Sequence, residues 1–302
     1  MYDSFRPQNW AHLHLQRSIR STLVQMSANV PDDEDAALAE KLRGFDTSVP
    51  SPARMWNYWV GGKDHFAADR EAADKIMAAM PALPAIARSV RHFLIDIVHS
   101  LTVDHGIRQF LDIGTGLPTA DNTHDVAQRA APESRIVYAD YDPVVLAHAR
   151  ALLTSSPEGK TDYIEADLRD PAVILAEARR TLDFTQPVAI MLIAIVQFIS
   201  DDDHPYEIVN SLMDAVPPGS FLVLSHVATD IFPEELAAFA RAYNERSSEK
   251  VTLRNREEVA QFFTGLDLVE PGIVQVSKWR PRSELEASAT DTMWCGVARK
   301  TA

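Results

Sequence analysis

Apolar positions recur at two different spacings along this chain. Between residues 82 and 103 they fall three and four positions apart, which predicts a helix with one buried face. From residue 109 onward, short apolar runs alternate with segments of helical spacing. Such alternation is typical of an α/β domain with right-handed crossovers and a doubly wound parallel sheet.

Seven strands and six connecting helices follow from this pattern. The predicted strands are residues 109–113, 135–139, 163–166, 188–195, 220–225, 268–276 and 293–299. The predicted helices are residues 120–131, 143–153, 171–182, 205–215, 234–245 and 255–263. The last two strands follow each other without a helix, so the final strand is expected to be antiparallel to the others. The fold class is therefore α/β, Rossmann-like, with a mostly parallel sheet of seven strands.

The segment before the first strand is predicted to be helical. Ser51 can cap a helix whose first turn holds Pro52, and Gly61-Gly62 would end it. Two further helices are expected over residues 67–80 and 82–103. We therefore predict a variable, loosely organised N-terminal arm (residues 1–43), a helical cap or lid (44–106) and the sheet domain (107–302).

Composition narrows the range of partners. The net charge of the 302 residues is -14, which disfavours binding to nucleic acid and to anionic membrane surfaces. The longest apolar run, residues 187–199, is too short to span a bilayer, and residues 1–30 lack the apolar stretch of a signal peptide. A single cysteine allows neither an intrachain disulfide nor a cysteine-based zinc site. We expect a cytoplasmic protein with no membrane partner.

The first strand leads into a glycine turn. Asp112 precedes Gly114, Thr115 and Gly116, and two glycines let the backbone approach a ligand closely. Asp112 could anchor the turn or accept a hydrogen bond from a ligand ammonium. A dinucleotide fingerprint would continue to a third glycine, whereas Thr119 stands at that position after Pro118. The turn therefore disfavours a diphosphate.

Two more carboxylates end the second and third strands. Asp140, followed by Tyr141, stands where a carboxylate binds ribose hydroxyls. Asp167 with Leu168 could recognise adenine through a carboxylate and a backbone N–H. Ligands of open α/β sheets bind beyond the carboxyl ends of the strands, so these groups are expected to meet. An ammonium site, a ribose site and an adenine site together describe S-adenosylmethionine.

Three blocks of the sequence also resemble a known family. Residues 51–70, which include Gly61-Gly62-Lys63-Asp64, residues 110–119 and residues 137–150 resemble the signatures of the actinobacterial S-adenosyl methyltransferase family once labelled DUF574. The resemblance extends over roughly residues 45–302 and implies the class I methyltransferase fold, with an antiparallel last strand.

Further candidate residues complete the predicted site. Gly61, Gly62 and Lys63 could fold over the cofactor, or could form a plain helix–helix turn. Tyr58 is a candidate, with Trp56, Trp59 and Phe66, for an aromatic lid near the sulfonium, or for core packing. Asn122, at the start of a helix, lies near the expected place of the cofactor carboxylate. His226, after the fifth strand, is a candidate general base, and Gln197 could orient an acceptor. The run Asp201 to His204 is interpreted as a solvated turn rather than a metal site.

Three functions are compatible with these residues. The first is S-adenosylmethionine-dependent methyl transfer to a small molecule. The second is a non-catalytic S-adenosylmethionine-binding sensor or interaction protein. The third is an NAD-dependent oxidoreductase, which Asp140 favours but Pro118 and Thr119 disfavour.

Overall fold

The computed structural model describes residues 46–152, 154–281, 284 and 291–301. The chain divides into two units, Met1–Asp46 and Thr47–Ala302, and the account below concerns the second. The predicted N-terminal arm, residues 1–43, lies outside the described residues. The boundaries proposed at residues 44 and 107 stay predictions.

Three helices precede the sheet: α1 (Pro52–Trp59), α2 (Ala67–Ala79) and α3 (Leu83–Val103). Helix α1 begins after Ser51 with a proline in its first turn, as expected from the fixed φ of proline. The predicted apolar face of α3 is buried, and it packs in one core cluster with α1 and α2. The 3.6-residue pattern therefore correctly identified which side of α3 faces the interior.

Strands and helices then alternate along the rest of the chain. The strands are β1 (Gln109–Ile113), β2 (Arg135–Asp140), β3 (Lys160–Glu165), β4 (Ala189–Ile193), β5 (Phe221–Val227), β6 (Asp267–Leu268), β7 (Val274–Gln275) and β8 (Met293–Arg299). The helices are α4 (Thr123–Ala130), α5 (Pro143–Leu152), α6 (Pro171–Ala178), α7 (Pro205–Asp214), α8 (Pro233–Arg246) and α9 (Arg256–Gln261).

The strands form one sheet in the order β3-β2-β1-β4-β5-β8-β6, with β7 also paired to β8. Strands β1 to β5 are parallel, and β8 is antiparallel to β5. This confirms the predicted α/β class and the antiparallel last strand. The strand order reverses between β1 and β4, which is where open α/β sheets bind ligands.

The sheet of the described residues has eight strands rather than the seven expected. The predicted strand over residues 268–276 is two short strands, β6 and β7, that both pair with β8. Between them Pro271 lacks a backbone donor, and Gly272 has a φ of +83° and donates to the carbonyl of Val269. A turn therefore interrupts the strand, and the apolar pattern alone did not reveal it.

Two apolar clusters cover the two faces of the sheet. One includes α1, α2, α3 and α8, and the other includes α6, α7 and α9. Within the described part of the chain, no helix has the length and apolar character needed to cross a membrane.

Candidate functional site

A cavity opens at the carboxyl ends of the strands, beside the point where the strand order reverses. Residues from the ends of β1 to β5, from α1, α3 and α8, and from the start of β8 line it. Of the predicted residues, the cavity brings together Asp112, Gly114, Thr115, Gly116, Asp140, Tyr141, Asp167, Leu168 and Gln197. The strand-end argument therefore located most of one contiguous site.

The glycine turn after β1 needs its glycines for two reasons. Gly114 and Gly116 have φ values of +72° and +63°, a region that disfavours other residues. A Cβ atom on Gly114 would also lie 2.4 Å from Cγ1 of Ile195. Asp112, just before the turn, accepts a 2.6 Å hydrogen bond from the Thr123 hydroxyl. The turn is thus fixed on both sides by neighbouring elements.

Asp112 and Asp140 are buried carboxylates at adjacent strand ends. Asp140 accepts hydrogen bonds from the backbone N–H groups of Gly116 (3.0 Å) and Asp142 (2.9 Å). Burial raises the pKa of each to about 6, and hydrogen bonds to each carboxylate only partly offset this. A cation or further hydrogen-bond donors would therefore stabilise the charged form of both carboxylates.

Asp167 lies at the rim of the cavity beyond β3. Arg169 binds its carboxylate at 2.9 Å and also contacts Glu249 at 3.3 Å. The same guanidinium donates to the carbonyl of Phe198. Asp167 is therefore held in place, while the neighbouring Leu168 is buried in the lining.

Helix α1 is docked against the loop after β2. The Ser51 hydroxyl donates to the Asp142 carboxylate at 3.0 Å, and the Ser51 N–H donates to Asp69 at 3.0 Å. Asp69 also pairs with Arg54 at 2.8 Å, and both side chains are buried. Part of the 51–70 block thus fixes α1 beside Asp140.

The cavity lining does not include Tyr58, Gly61, Gly62 and Lys63, and their contact with the cofactor stays a prediction. Gly61 and Gly62 donate to the carbonyls of Tyr58 and Asn57, an arrangement that ends a helix with a residue of positive φ. The Tyr58 hydroxyl instead binds Asp74 at 2.9 Å. Of the turn's two interpretations, the geometry supports a helix–helix connection, and the aromatic lining of α1 comes from Trp56 and Trp59.

Asn122 also lies outside the main cavity, beside a smaller neighbouring recess. Its side chain binds both backbone groups of Thr119, and its N–H donates to Asp125. Two positions further along, the N–H of His124 donates to the Tyr138 hydroxyl. The Asn122 side chain is therefore bound within the protein, and its contact with the cofactor carboxylate stays a prediction.

His226 and Gln197 end up in different environments. Gln197 lines the cavity and accepts from the Val227 N–H at 3.3 Å. His226 is fully buried away from the cavity because successive residues of β5 face opposite sides. Burial lowers the pKa of His226 to about 3, and its two nitrogens contact Arg254 and the Val227 carbonyl. His226 therefore cannot serve as the predicted general base.

Sequence reasoning missed Arg91, which lies on α3 and lines both the cavity and the neighbouring recess. One terminal nitrogen donates to the carbonyls of Ala120 and Asp121, at 3.0 and 2.9 Å. Burial lowers the pKa of this guanidinium, while the nearby Asp112 carboxylate acts in the opposite direction. A signal existed, because Arg91 stands four residues after Ala87 and three before Leu94, both on the buried face of α3.

The run from Asp201 to His204 is exposed, and Asp201 pairs with Arg254 at 2.6 Å. Among the residues that the structure describes, no group of three or more histidine, cysteine, aspartate or glutamate side chains could hold a metal ion.

Comparison with known proteins agrees with the fold. The sequence profile of a family described as S-adenosyl methyltransferase matches residues 38–301. A DUF574 family protein from Streptomyces avermitilis is 47% identical, with a TM-score of 0.81 over 84% of this chain and 99% of its own. A putative methyltransferase from Thermobifida fusca is 38% identical, with a TM-score of 0.78 over 85% and 97%. A search of curated proteins found no match.

The family profile spans most of the chain, and the two similar structures are covered almost completely. This agreement favours S-adenosylmethionine over NAD as the cofactor, as the interrupted glycine fingerprint suggested. The chain belongs to the S-adenosyl methyltransferase family and is an S-adenosylmethionine-dependent methyltransferase.

Proposed function

We propose that this enzyme transfers the methyl group of S-adenosylmethionine to a small molecule, with the cofactor bound along the ends of β1, β2 and β3. The observation that carries the proposal is the convergence of Asp112, Asp140 and Asp167 on one cavity. Parallel strands end at one edge of the sheet, so three successive strand ends can hold three parts of an extended ligand.

The chemistry of the cavity fits this cofactor in two places. The raised pKa values of Asp112 and Asp140 reflect burial that an ammonium group and ribose hydroxyls would offset. Gly116, beside Asp140, carries no side chain, and no atom lies within 4 Å of the place where its Cβ would be. We assign Asp112 to the ammonium, Asp140 with Tyr141 to the ribose, and Asp167 with Leu168 to the adenine.

Arg91 completes the assignment as the partner of the cofactor carboxylate. Only one of its terminal nitrogens has hydrogen bonds to the described residues, and those go to neutral carbonyls. An anion beside a half-buried guanidinium would form a charge-assisted hydrogen bond. Asp112 and Arg91 would then bind the two opposite charges of the amino-acid tail.

Methyl transfer requires little of the protein beyond positioning. The sulfonium supplies an activated methyl group, so the reaction depends mainly on bringing the acceptor into line with it. Gln197, at the base of the cavity, is held by the Val227 N–H and lies where it can orient an acceptor. His226 has no role in this proposal.

A recessed site supports a small acceptor. The walls include buried side chains of α1, α3 and α8, and a macromolecule would have to place its reactive group past them. The predicted cytoplasmic location belongs to the same proposal and is supported by the acidic composition and by the absence of an apolar stretch long enough for a membrane.

Calorimetric titration tests the cofactor site, with S-adenosylhomocysteine, S-adenosylmethionine and NAD as ligands. We expect micromolar binding of the first two and none of NAD. Asp140→Ala should weaken binding at least tenfold, whereas Asp202→Ala, in the exposed turn, should leave it unchanged. Equal binding by Asp140→Ala would remove the ribose assignment. Incorporation of labelled methyl groups from S-adenosylmethionine into small molecules of a cell extract would distinguish an enzyme from a non-catalytic binder.

A further inference from the structure

The strands end in two chemically different halves at the cavity. On one side of the reversal point, β1, β2 and the loop after β3 present Asp112, Asp140 and Asp167. On the other side, β4 leads into Ile193-Ala194-Ile195, and β5 ends at Val227. A polar half and an apolar half therefore share one cavity.

Aromatic side chains extend the apolar half. Trp56 and Trp59 enter the lining from α1, and Phe239 and Tyr243 enter it from α8. All but Trp56 are nearly inaccessible to solvent although they border open space. Aromatic faces of this kind bind ring systems by stacking or edge contacts, in addition to burying apolar area.

The charged lining residues beyond the strand ends are bound within the protein. Apart from the strand-end carboxylates and Arg91, the described lining contains Asp142, which accepts from the Ser51 hydroxyl, and Arg169 and Glu249, which contact each other. Arg169 also binds Asp167 and donates to the carbonyl of Phe198, beyond the end of β4. An acceptor over β4 and β5 would thus approach only described charged side chains that already have partners, and none of these is left to compensate a charge on the acceptor. Moving an ionised group there would cost its hydration without a partner.

Ala194 lies at the boundary between the two halves and places only a methyl group there. It follows β4 with a φ of +55°, and its N–H donates to both the hydroxyl (3.0 Å) and the carbonyl (3.2 Å) of Ser225. A non-glycine residue in this conformation is strained, and such strain is concentrated at functional positions. Its methyl side chain leaves space between the cofactor half and the apolar half.

We propose that the methyl acceptor is an uncharged, apolar aromatic molecule that binds over the ends of β4 and β5, against Trp56 and Phe239. The location of the cofactor in the other half rests on the function proposed above. In the reaction, a lone pair of the acceptor forms the new bond to the methyl carbon while the carbon–sulfur bond breaks and its electrons remain on sulfur. The positive charge passes to the product and leaves as a proton released to water.

Three naphthalene probes test the charge preference in the complex saturated with S-adenosylhomocysteine. They are 2-naphthol, which is neutral, 2-naphthoate, which is an anion, and 2-(aminomethyl)naphthalene, which is a cation near neutral pH. We expect calorimetry to show that 2-naphthol binds at least tenfold more tightly than either charged probe. A charged probe that binds as tightly as 2-naphthol would overturn the proposal.

A matched pair of variants on α1 tests the location. Trp56→Leu should weaken 2-naphthol binding about tenfold or more, the loss of an aromatic contact in a buried site. Tyr58→Leu, on the same helix but outside the lining, should not weaken 2-naphthol binding. Neither variant should change the affinity for S-adenosylhomocysteine. Equal affinities of the Trp56→Leu and wild-type complexes for 2-naphthol would overturn the location.

The outcomes separate this inference from the proposed cofactor site. If S-adenosylhomocysteine binds but 2-naphthol does not, the acceptor inference is wrong and the cofactor assignment stands. If 2-naphthol binds with the expected response to Trp56→Leu while S-adenosylhomocysteine does not bind, the apolar subsite is supported and the cofactor assignment fails.

Discussion

The Ser51 hydroxyl donates a 3.0 Å hydrogen bond to the Asp142 carboxylate, across 91 positions of the chain. Asp142 also accepts from the Val144 N–H at the start of α5, and its own N–H donates to Asp140. One buried carboxylate thus connects helix α1, the ribose candidate and the first turn of α5. Helix α1 therefore contributes to the geometry of the proposed cofactor site without supplying one of its charged groups, whereas α3 supplies Arg91.

Ser51→Ala tests this connection. Loss of the donor leaves a buried carboxylate oxygen short of a partner, so we expect a loss of about 1–3 kcal/mol in the free energy of unfolding. The affinity for S-adenosylhomocysteine should fall several-fold, because Asp140 loses the support of its neighbour. Denaturant unfolding and calorimetry measure the two effects. Ser200→Ala, which removes an exposed hydrogen bond to Asp203, is the control and should change neither.

Arg91→Met tests the proposed carboxylate contact through a difference between two ligands. Decarboxylated S-adenosylmethionine keeps the ammonium and lacks the carboxylate. We expect the substitution to weaken binding of S-adenosylmethionine about tenfold or more, by loss of a charge-assisted hydrogen bond, and to change binding of the decarboxylated ligand little. Competition calorimetry measures the loss of affinity for each ligand and therefore the ratio of the two losses.

The ratio of the two losses separates a lost carboxylate contact from a structural defect, because Arg91 also supports the loop through Ala120 and Asp121. A structural defect would weaken both ligands equally, and such a result would contradict the assignment. Arg88→Met, at an exposed position of the same helix, is the matched control and should leave both affinities unchanged.

The contrast between Arg91 and Asn122 shows what sequence reasoning could reach. Asp112, Asp140 and Asp167 were predictable as neighbours because strand ends converge at a known edge of the sheet. The place of Arg91 on the buried face of α3 was a signal, but its contact with the cavity depends on how α3 crosses the end of β1, and the helical pattern does not reveal that crossing. Asn122 was predicted near the cofactor carboxylate, but its bonds to Thr119 depend on loop geometry that the sequence does not reveal.

The structure differs from the predictions for His226 and for the sixth strand, and the reasons are local. Whether a residue at the end of β5 faces the cavity depends on register, and a shift of one residue exchanges His226 and Val227. The Pro271-Gly272 pair splits the strand over residues 268–276, although its apolar spacing continues on both sides. Periodicity predicts which elements exist better than where they are interrupted.

The raised pKa of the buried Asp112 carboxyl predicts that the stability of the protein depends on pH. Burial raises this pKa to about 6, from an ordinary value of 3.8. Between these values the native carboxyl holds a proton that the unfolded chain has released, so stability falls as the pH rises. Asn does not titrate, and we expect the stability of Asp112→Asn relative to wild type to increase by roughly 2–3 kcal/mol between about pH 4 and pH 7.

Denaturant unfolding at a series of pH values measures this difference, in the absence of ligand. The exposed Asp202→Asn variant should show no such increase. A difference between wild type and Asp112→Asn that stays constant from pH 4 to pH 7 would mean that the carboxyl titrates in the native state as it does in the unfolded chain.

The buried ion pair of Arg54 and Asp69 predicts a large loss of stability from a small substitution. Asp69 accepts from Arg54, from the Ser51 N–H and from the Phe66 N–H, and none of its surface is exposed. Asp69→Asn removes the negative charge and leaves the guanidinium in a buried place, which costs about 3–5 kcal/mol. Unfolding by denaturant should show this loss, and Glu71→Gln, in an exposed pair with Lys75, should retain near wild-type stability.

Gly114 and Gly116 allow backbone strain to be separated from steric overlap. Both have positive φ, but a Cβ atom on Gly116 would meet no atom within 4 Å, whereas one on Gly114 would overlap Ile195. We expect Gly116→Ala to cost about 1 kcal/mol of stability from conformation alone. Gly114→Ala should cost more and should weaken S-adenosylhomocysteine binding, because Ile195 or the turn must move.

The double variant Gly114→Ala/Ile195→Ala removes the Cγ1 and Cδ1 atoms from the overlap, so it should recover part of the lost affinity. Equal effects of Gly114→Ala and Gly116→Ala would show that the close approach of Ile195 does not constrain the turn.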